Sequence, residues 1–412
     1  MLRPAIHLSY VPVLLLWAAV AIPFTLRTPD ESYSHDYQDH VAYTQFIHHE
    51  KRLPHPGEGG GEGHQPPLYY LLASQLVVSS ARHVRVVRLF SVFLGALTLL
   101  LLQASMKTLG VKTMPGLAAL AFCATTPHFL FLFSSYNNDA LTIFWAIFLW
   151  TLFLRYIQDP SSLKAWGLGA LTVAGFFSKF SFGVAWATLV AAALYLVMRK
   201  QLTARDFKRF IMVQGVAIIP VLGWIYFHNV QTSGQWTVLN AIDVPLQRLP
   251  NSPLETILTP PGFTNREWVT PYADVFLPIG KKNSLTAYAW VTSIFGEYNF
   301  RHLQDFWVWF ILWVHTLWLL TALPQIRRSP LSVTMGIALV GGWLGLAAFV
   351  WARPLGTAMD FRYVAWLWLP LTVLRAQALD STPFGKGSWS QKTVFTIILL
   401  GIVIQWAMIS TL

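Results

Sequence analysis

Long apolar runs succeed one another along nearly the whole chain, interrupted by short basic turns and by two longer polar stretches at 27–86 and 228–305. They predict membrane-crossing segments at 10–26, 87–106, 114–134, 140–157, 165–180, 182–198, 210–227, 306–323, 331–350, 363–375 and 393–410, eleven in all, with ends good to a few residues. A hydrocarbon core about 30 Å thick asks for about 17 to 25 apolar residues in a helix. Helices are the expected element, because lipid cannot satisfy open backbone groups and the alternating pattern of a barrel is missing. Within the first polar stretch, 66–81 (PPLYYLLASQLVVSSA) is apolar but short, and Arg82, His83, Arg85 and Arg88 follow it. On its pattern alone it either spans or lies flat.

Composition fits the pattern: 55% of the 412 residues are hydrophobic and 11% are charged, where a soluble domain has roughly 25% charged residues. Charge distribution then decides the orientation. With the N-terminus inside and 66–81 lying flat, the inner loops collect fifteen cations, Lys107, Lys112, Arg199, Lys200 and Arg375 among them, against three acids, and the remainder is nearly neutral. Were 66–81 to cross, every later basic loop would face outward, against the positive-inside rule. The net charge of +11 is therefore an orientation signal with anionic-lipid contact, and no nucleic-acid partner is expected. The first span resembles a secretory signal, but its exit (AIPFTLRTPDE) lacks a small-x-small cleavage site, so it is read as retained. The single cysteine, Cys123, falls in an apolar run and allows no intrachain disulfide. We expect one membrane domain over 1–412, with polar function on the outer face in the loops 27–86 and 228–305. The second loop is broken by prolines, and 57–63 (GEGGGEG) reads as a flexible hinge.

Candidate chemistry concentrates at 27–70, which holds seven of the eighteen acidic residues and six of the twelve histidines. Asp30 and Glu31 follow the first span directly, at headgroup depth. A carboxylate there could take the proton of an acceptor hydroxyl; its plain alternative is a helix N-cap. Residues 32–50 have helical spacing, with His35 and Asp39, and likewise Asp36 and His40, four apart on the polar side. The plain reading is an amphipathic helix on the membrane surface, the sharper one a Mg²⁺ or Mn²⁺ site. Lys179, in FFSKFSF, is a cation in apolar surroundings near the outer boundary, able to snorkel or to touch a phosphate. Asp139 opens the fourth span after Asn137 and Asn138, where a helix N-terminus favours an anion. Arg82, Arg85 and Arg88 share a face and could meet lipid phosphate.

A series of short motifs runs through the chain in order: Pro29-Asp30-Glu31, HQPPLYYLL (64–72), RLFSVFLGALTLLLL (88–102), YNNDAL (136–141), GALTVAGFFSKFS (169–181), GWIYFHNVQTSG (223–234), SIFGEYNF (293–300) and FRYVAWLWLPL (361–371). This series is similar to the polyprenyl-phosphate-dependent GT-C glycosyltransferases, especially the family 39 group with the protein O-mannosyltransferases and the lipid A aminoarabinose transferase. The resemblance implies an all-α GT-C fold of about eleven transmembrane helices, with juxtamembrane helices in the first outer loop. It implies Asp30 as catalytic base, with Glu31 completing an acidic pair. Asp139 matches an outer-face acidic position, and Arg88, Lys179 and Arg362 match basic positions around the carrier phosphate. His64 stands where the aminoarabinose-transferase relatives have a phosphate-contacting lysine, and an imidazole there makes any such contact depend on pH.

The expected activity is inverting transfer of a sugar from a polyprenyl-phosphate carrier to a hydroxyl of a protein, lipid or glycan acceptor at the outer face. The short chain and the absence of an N-glycosylation acceptor site point to a bacterial plasma membrane. The alternative is a lipid or sugar-lipid transporter, which would be expected to repeat broken helices in two halves.

Overall fold

The computed structural model describes residues 10–29, 36–55, 58–77, 83–231, 251–260, 284–298, 305–327, 329–381 and 389–411, with the single positions 234, 249 and 300. Among them there is no β-strand. The helices are α1 (Val11–Arg27), α2 (Tyr37–Glu50), α3 (Leu68–Gln75), α4 (His83–Thr108), α5 (Thr113–Thr125), α6 (Pro127–Ser134), α7 (Asp139–Gln158) and α8 (Ser162–Ser178). They continue with α9 (Phe182–Met198), α10 (Ala204–Trp224, running on as the π-helical turn Ile225–Val230), α11 (Pro253–Leu258), α12 (Leu285–Phe295) and α13 (Asp305–Ala322). α14 (Pro330–Ala352) is followed by the 3₁₀ turns Gly356–Met359 and Phe361–Leu367, then α15 (Trp368–Ser381) and α16 (Trp389–Ser410).

Helical structure falls within each of the eleven expected stretches, although 363–367 is a 3₁₀ turn and α15 begins only at Trp368. Among the described residues, five are long and apolar enough to cross by themselves, and α5 with α6 makes a sixth if that bent pair is one span. The pair is not the continuous helix expected over 114–134: it bends by 64° between Thr125 and Pro127. Proline at the start of α6 pushes Thr126 to an extended conformation (φ −67°, ψ 127°), which ends α5. Over its described part, 66–77, the segment supplies the eight residues of α3, about 12 Å of helix, far short of a crossing.

α7 lies between α4 and α8, α10 packs on α8, α14 on α9, and α15 on α5. The centre is aromatic, with Trp150 of α7 stacked on Trp366 at a centroid distance of 5.8 Å. Trp17 fastens α1 to α4 through an indole N–H donated to the Val92 carbonyl at 2.9 Å. Apolar side chains such as Ile219 on α10, Leu317 on α13 and Leu344 on α14 remain exposed, as suits helices facing lipid.

Three expectations need correction. Arg375, placed in an inner loop by its sequence position, is buried, because α15 runs on to Ser381 past the expected end of its span. Its guanidinium donates to His315 Nδ1 at 3.3 Å and lies over Trp318. α2 is described from Tyr37, and its polar side is not all in water: His40 is buried, because α2 packs on α3. The 57–63 cluster is not a free hinge over its described part. Gly61 N–H donates to Asp39 Oδ1 at 2.8 Å, and Gly60 takes φ +80°, a backbone that a side chain would strain.

Candidate active site

Two buried cations meet at the end of the bundle where α7 begins. α8 stops at Ser178, the chain is extended at Lys179 (φ −166°, ψ 142°), and α9 starts at Phe182. This break releases the Lys179 side chain from the helix, and its Nζ donates to Asp139 Oδ1 at 2.7 Å. Both residues are buried. Asp139 sits in the first turn of α7, so it also meets the positive end of that helix.

Arg362, in the 3₁₀ turn before α15, is the second cation. Nη2 reaches Asp36 Oδ2 at 3.1 Å and Nη1 reaches Glu297 Oε1 at 3.3 Å. Its amide donates to Asp360 Oδ1 at 2.9 Å. Glu297 is presented there because α12 ends at Gly296, whose φ of +63° turns the chain in a way open to glycine. Tyr363 joins the two cations: its ring centroid is 5.4 Å from Lys179 Nζ and 5.1 Å from Arg362 Cζ.

α2, α3 and the loop between them close the third side. His40 Nδ1 hydrogen-bonds with the Tyr70 hydroxyl at 2.8 Å, and Asn138 Nδ2 donates to that hydroxyl at 3.3 Å. Tyr43 stacks on Tyr70 at 3.8 Å. The Gly61–Asp39 bond holds the loop so that Glu62 is buried in the fields of His40, Asp36, Lys179 and Arg362. Burial pushes the Glu62 carboxyl above the usual carboxylate range, although His40 draws it back, and burial lowers the His40 imidazole. In both groups burial shifts the balance toward the neutral form.

That shift has a sign that can be measured. A carboxyl whose folded pKa lies above its unfolded value contributes stability below the unfolded pKa, about 4.3, and loses it as pH rises through the folded pKa. Glu62→Gln removes the titration. As pH rises above about 4.3, the wild type is expected to lose thermal stability relative to the variant. Unfolding curves for the two proteins that stay parallel as pH rises would contradict a raised Glu62 carboxyl.

The other expected site residues are distributed as follows. Asp30, Glu31 and His35 lie outside the described residues. Arg88 is buried and donates through Nε to the Ser134 carbonyl at 2.7 Å and through Nη2 to Thr28 Oγ1 at 2.8 Å. It thereby ties the end of α6 to the chain two residues before Asp30. His64 donates from Nδ1 to the Gly61 carbonyl at 2.9 Å, and its Nε2 lies 3.3 Å from Gln65 Nε2. Of the metal candidates, Asp36 goes to Arg362, Asp39 to Gly61 and His40 to Tyr70, three different partners. Among the described residues no group of three His, Cys, Asp or Glu is arranged to hold an ion. Sequence reading missed Glu62, Tyr70, Glu297 and Tyr363 as site residues. All but Glu62 lie inside the motifs quoted above; Glu62 was hidden in what read as a hinge.

Residues 64–227 match the profile of the family described as dolichyl-phosphate-mannose-protein mannosyltransferase. No curated protein matches the sequence. Several solved structures share the fold. The oligosaccharyltransferase AglB from Archaeoglobus fulgidus, in complex with an inhibitory peptide and a dolichol-phosphate, has a TM-score of 0.60 at 12% identity, over 98% of this chain and 55% of that one. The arabinofuranosyltransferase AftD from Mycobacteria gives 0.57 at 15% identity, over 97% of this chain and 26% of its own. ArnT from Cupriavidus metallidurans, bound to undecaprenyl phosphate, gives 0.52 at 14% identity, over 96% and 62%. This chain thus spans less than two thirds of each of these proteins. The family profile includes His64, Arg88, Asp139 and Lys179, and it stops short of Arg362. The chain is therefore a helical membrane protein of the GT-C fold that carries, over residues 64–227, the sequence signature of the dolichyl-phosphate-mannose-protein mannosyltransferase family.

Proposed function

We propose that this protein transfers a sugar from a polyprenyl-phosphate carrier to an acceptor hydroxyl at the outer face of a bacterial plasma membrane, with inversion at the anomeric carbon. The observation that carries this reading is the pair of buried cations, Lys179 and Arg362, on the single ring of Tyr363. Two cations so close suit one phosphate. The family signature and the polyprenyl phosphates bound by two proteins of the same fold support a lipid-phosphate donor.

In this reading Asp30 takes the proton of the acceptor hydroxyl, with Glu31 beside it. The freed oxygen attacks the anomeric carbon, and the bond from that carbon to the phosphate oxygen breaks. The electron pair leaves on the phosphate, where Lys179 and Arg362 stabilise the growing charge. The carboxylates now holding the cations, Asp139, Asp36 and Glu297, keep the site near neutrality until the phosphate arrives. Arg88 positions the segment that leads to Asp30.

Transfer of label from a panel of polyprenyl-phosphate sugars in proteoliposomes tests this, with Asp30→Asn and a chelator as parallel arms. Loss of the general base is expected to cost about 100- to 10,000-fold. Near-normal turnover by Asp30→Asn would remove the assignment of the base. Saturable carrier binding with no transfer from any donor would favour the transporter reading. The chelator arm decides whether Mg²⁺ or Mn²⁺ takes part.

A further inference from the structure

Thr28 stands between α1 and Asp30, and each of its polar groups is engaged. Its amide donates to the Phe24 carbonyl at 3.0 Å, and its hydroxyl donates to the same carbonyl at 2.7 Å. Its own carbonyl accepts from Arg88 Nη1 at 3.1 Å, and its hydroxyl oxygen accepts from Arg88 Nη2 at 2.8 Å. Both residues are buried. The last carbonyls of a helix have no partner within it and usually turn to water or a cap; here a buried guanidinium takes that place.

The chain after Thr28 has little freedom. Pro29 pushes Thr28 into an extended conformation (φ −78°, ψ 138°) and has its own φ fixed by the ring at about −65°. The peptide bonds on either side of it are planar. Between the clamped carbonyl of Thr28 and the Cα of Asp30, only the ψ of Pro29 turns freely, over a reach of at most about 7 Å. Holding Thr28 therefore holds the start of the acidic pair.

The same guanidinium reaches a second segment. Arg88 Nε donates to the Ser134 carbonyl at 2.7 Å, where α6 ends, and a short turn later α7 opens with Asp139, the partner of Lys179. Phe24 in turn lies edge-on to Tyr298 at 5.7 Å, next to the Glu297 that pairs with Arg362. The clamp thus joins the approach to Asp30 to the walls that carry both cations. Guanidinium N–H groups lie in one plane at fixed angles, so the segments they hold keep one relative placement.

We propose that Thr28 is a positioning residue for the general base, and that Arg88 sets the separation between that base and the Lys179–Asp139 pair by holding Thr28 and Ser134 on one planar fork. The base itself rests on the transfer reading above. Arg88 acts in this arrangement through backbone and hydroxyl groups of the chain, and not on the carrier phosphate where the family resemblance would put it. Such geometry governs rate more than binding, since a displacement of about 1 Å can cost about 100-fold in turnover.

The experiment measures three quantities for the wild type, Thr28→Val, Thr28→Ser, Arg88→Lys and Asp30→Asn. They are single-turnover transfer at saturating donor, equilibrium binding of sugar-free polyprenyl phosphate in nanodiscs, and amide hydrogen exchange just after Thr28. Thr28→Val keeps the branched shape and loses the hydroxyl. It is expected to slow transfer by up to about 100-fold, to bind the carrier as the wild type does, and to exchange faster after residue 28. Thr28→Ser, which keeps the hydroxyl, should recover most of the rate. Arg88→Lys, which keeps the charge without the fork, should behave like Thr28→Val. Full transfer by Thr28→Val, or exchange equal to that of the wild type, would overturn the positioning role. Carrier binding lost in step with rate in Thr28→Val and Arg88→Lys would put Arg88 on the phosphate and overturn it as well. Failure of the transfer reading would show separately, as an Asp30→Asn protein no slower than the wild type, and the exchange measurement would still decide whether the clamp holds.

Discussion

Methionine in place of Arg362 is expected to lower transfer by about 100- to 1,000-fold, the usual cost of one charge-stabilising donor, and to cost about 3–5 kcal/mol of stability. Both effects come from one arrangement. Arg362 is the shared partner of Asp36 and Glu297, and its side chain is only 6% exposed. Without it, Glu297, itself 4% exposed, keeps a carboxylate whose cation is gone. Asp36 is more open at 26% and loses less. Arg362→Lys separates charge from geometry. A lysine restores one positive charge but cannot span two carboxylates with a planar fork, so stability should return only in part and activity should stay well below wild type. Thermal unfolding together with single-turnover transfer measures both. Full activity of Arg362→Lys would show that the charge alone matters, and an active Arg362→Met would take this residue out of the phosphate site.

The second large effect is at Lys179. Lys179→Met leaves Asp139 buried beside no cation at 2.7 Å, and breaking a buried pair in this way costs about 3–5 kcal/mol. Removing both charges is a different matter. The double variant Lys179→Met, Asp139→Asn should regain most of the lost stability, since replacing a whole buried pair is often neutral. Transfer should remain lost, because no ammonium is left to meet the phosphate. That split between stability and turnover is the useful measurement. If the double variant recovers transfer as well as stability, Lys179 serves only to neutralise Asp139 and the leaving group is stabilised elsewhere.

The chain's pattern determined the membrane class and the approximate places of the helices. The reason is simple: a lipid-facing helix must be apolar along its length, and the positive-inside rule acts on residues one can count. That 66–81 does not supply a crossing helix over its described part was legible for the same reason, because the side of every later loop depended on it. Lys179 and Asp139 stood out as ionisable groups at span ends, and Arg362 stood out only through the family resemblance.

Only the tertiary structure decided who meets whom. Lys179 and Asp139 are forty positions apart, and Arg362 reaches Asp36 across 326. Hydrogen-bond partners at such separations have no local periodicity to betray them. The same limit explains the errors. Asp36 and His40 are neighbours on a helix by spacing, but α3 and the turn before α15 offered each a better partner, so they diverged to Arg362 and Tyr70. The Gly-rich 57–63 segment looked free because glycine lowers local order in sequence; in the fold, Asp39 needs those glycines to come close, and that contact is what carries Glu62 inside. Composition and order along the chain therefore specified a membrane bundle with its polar groups at one edge, while burial by distant helices selected which of those groups became the site.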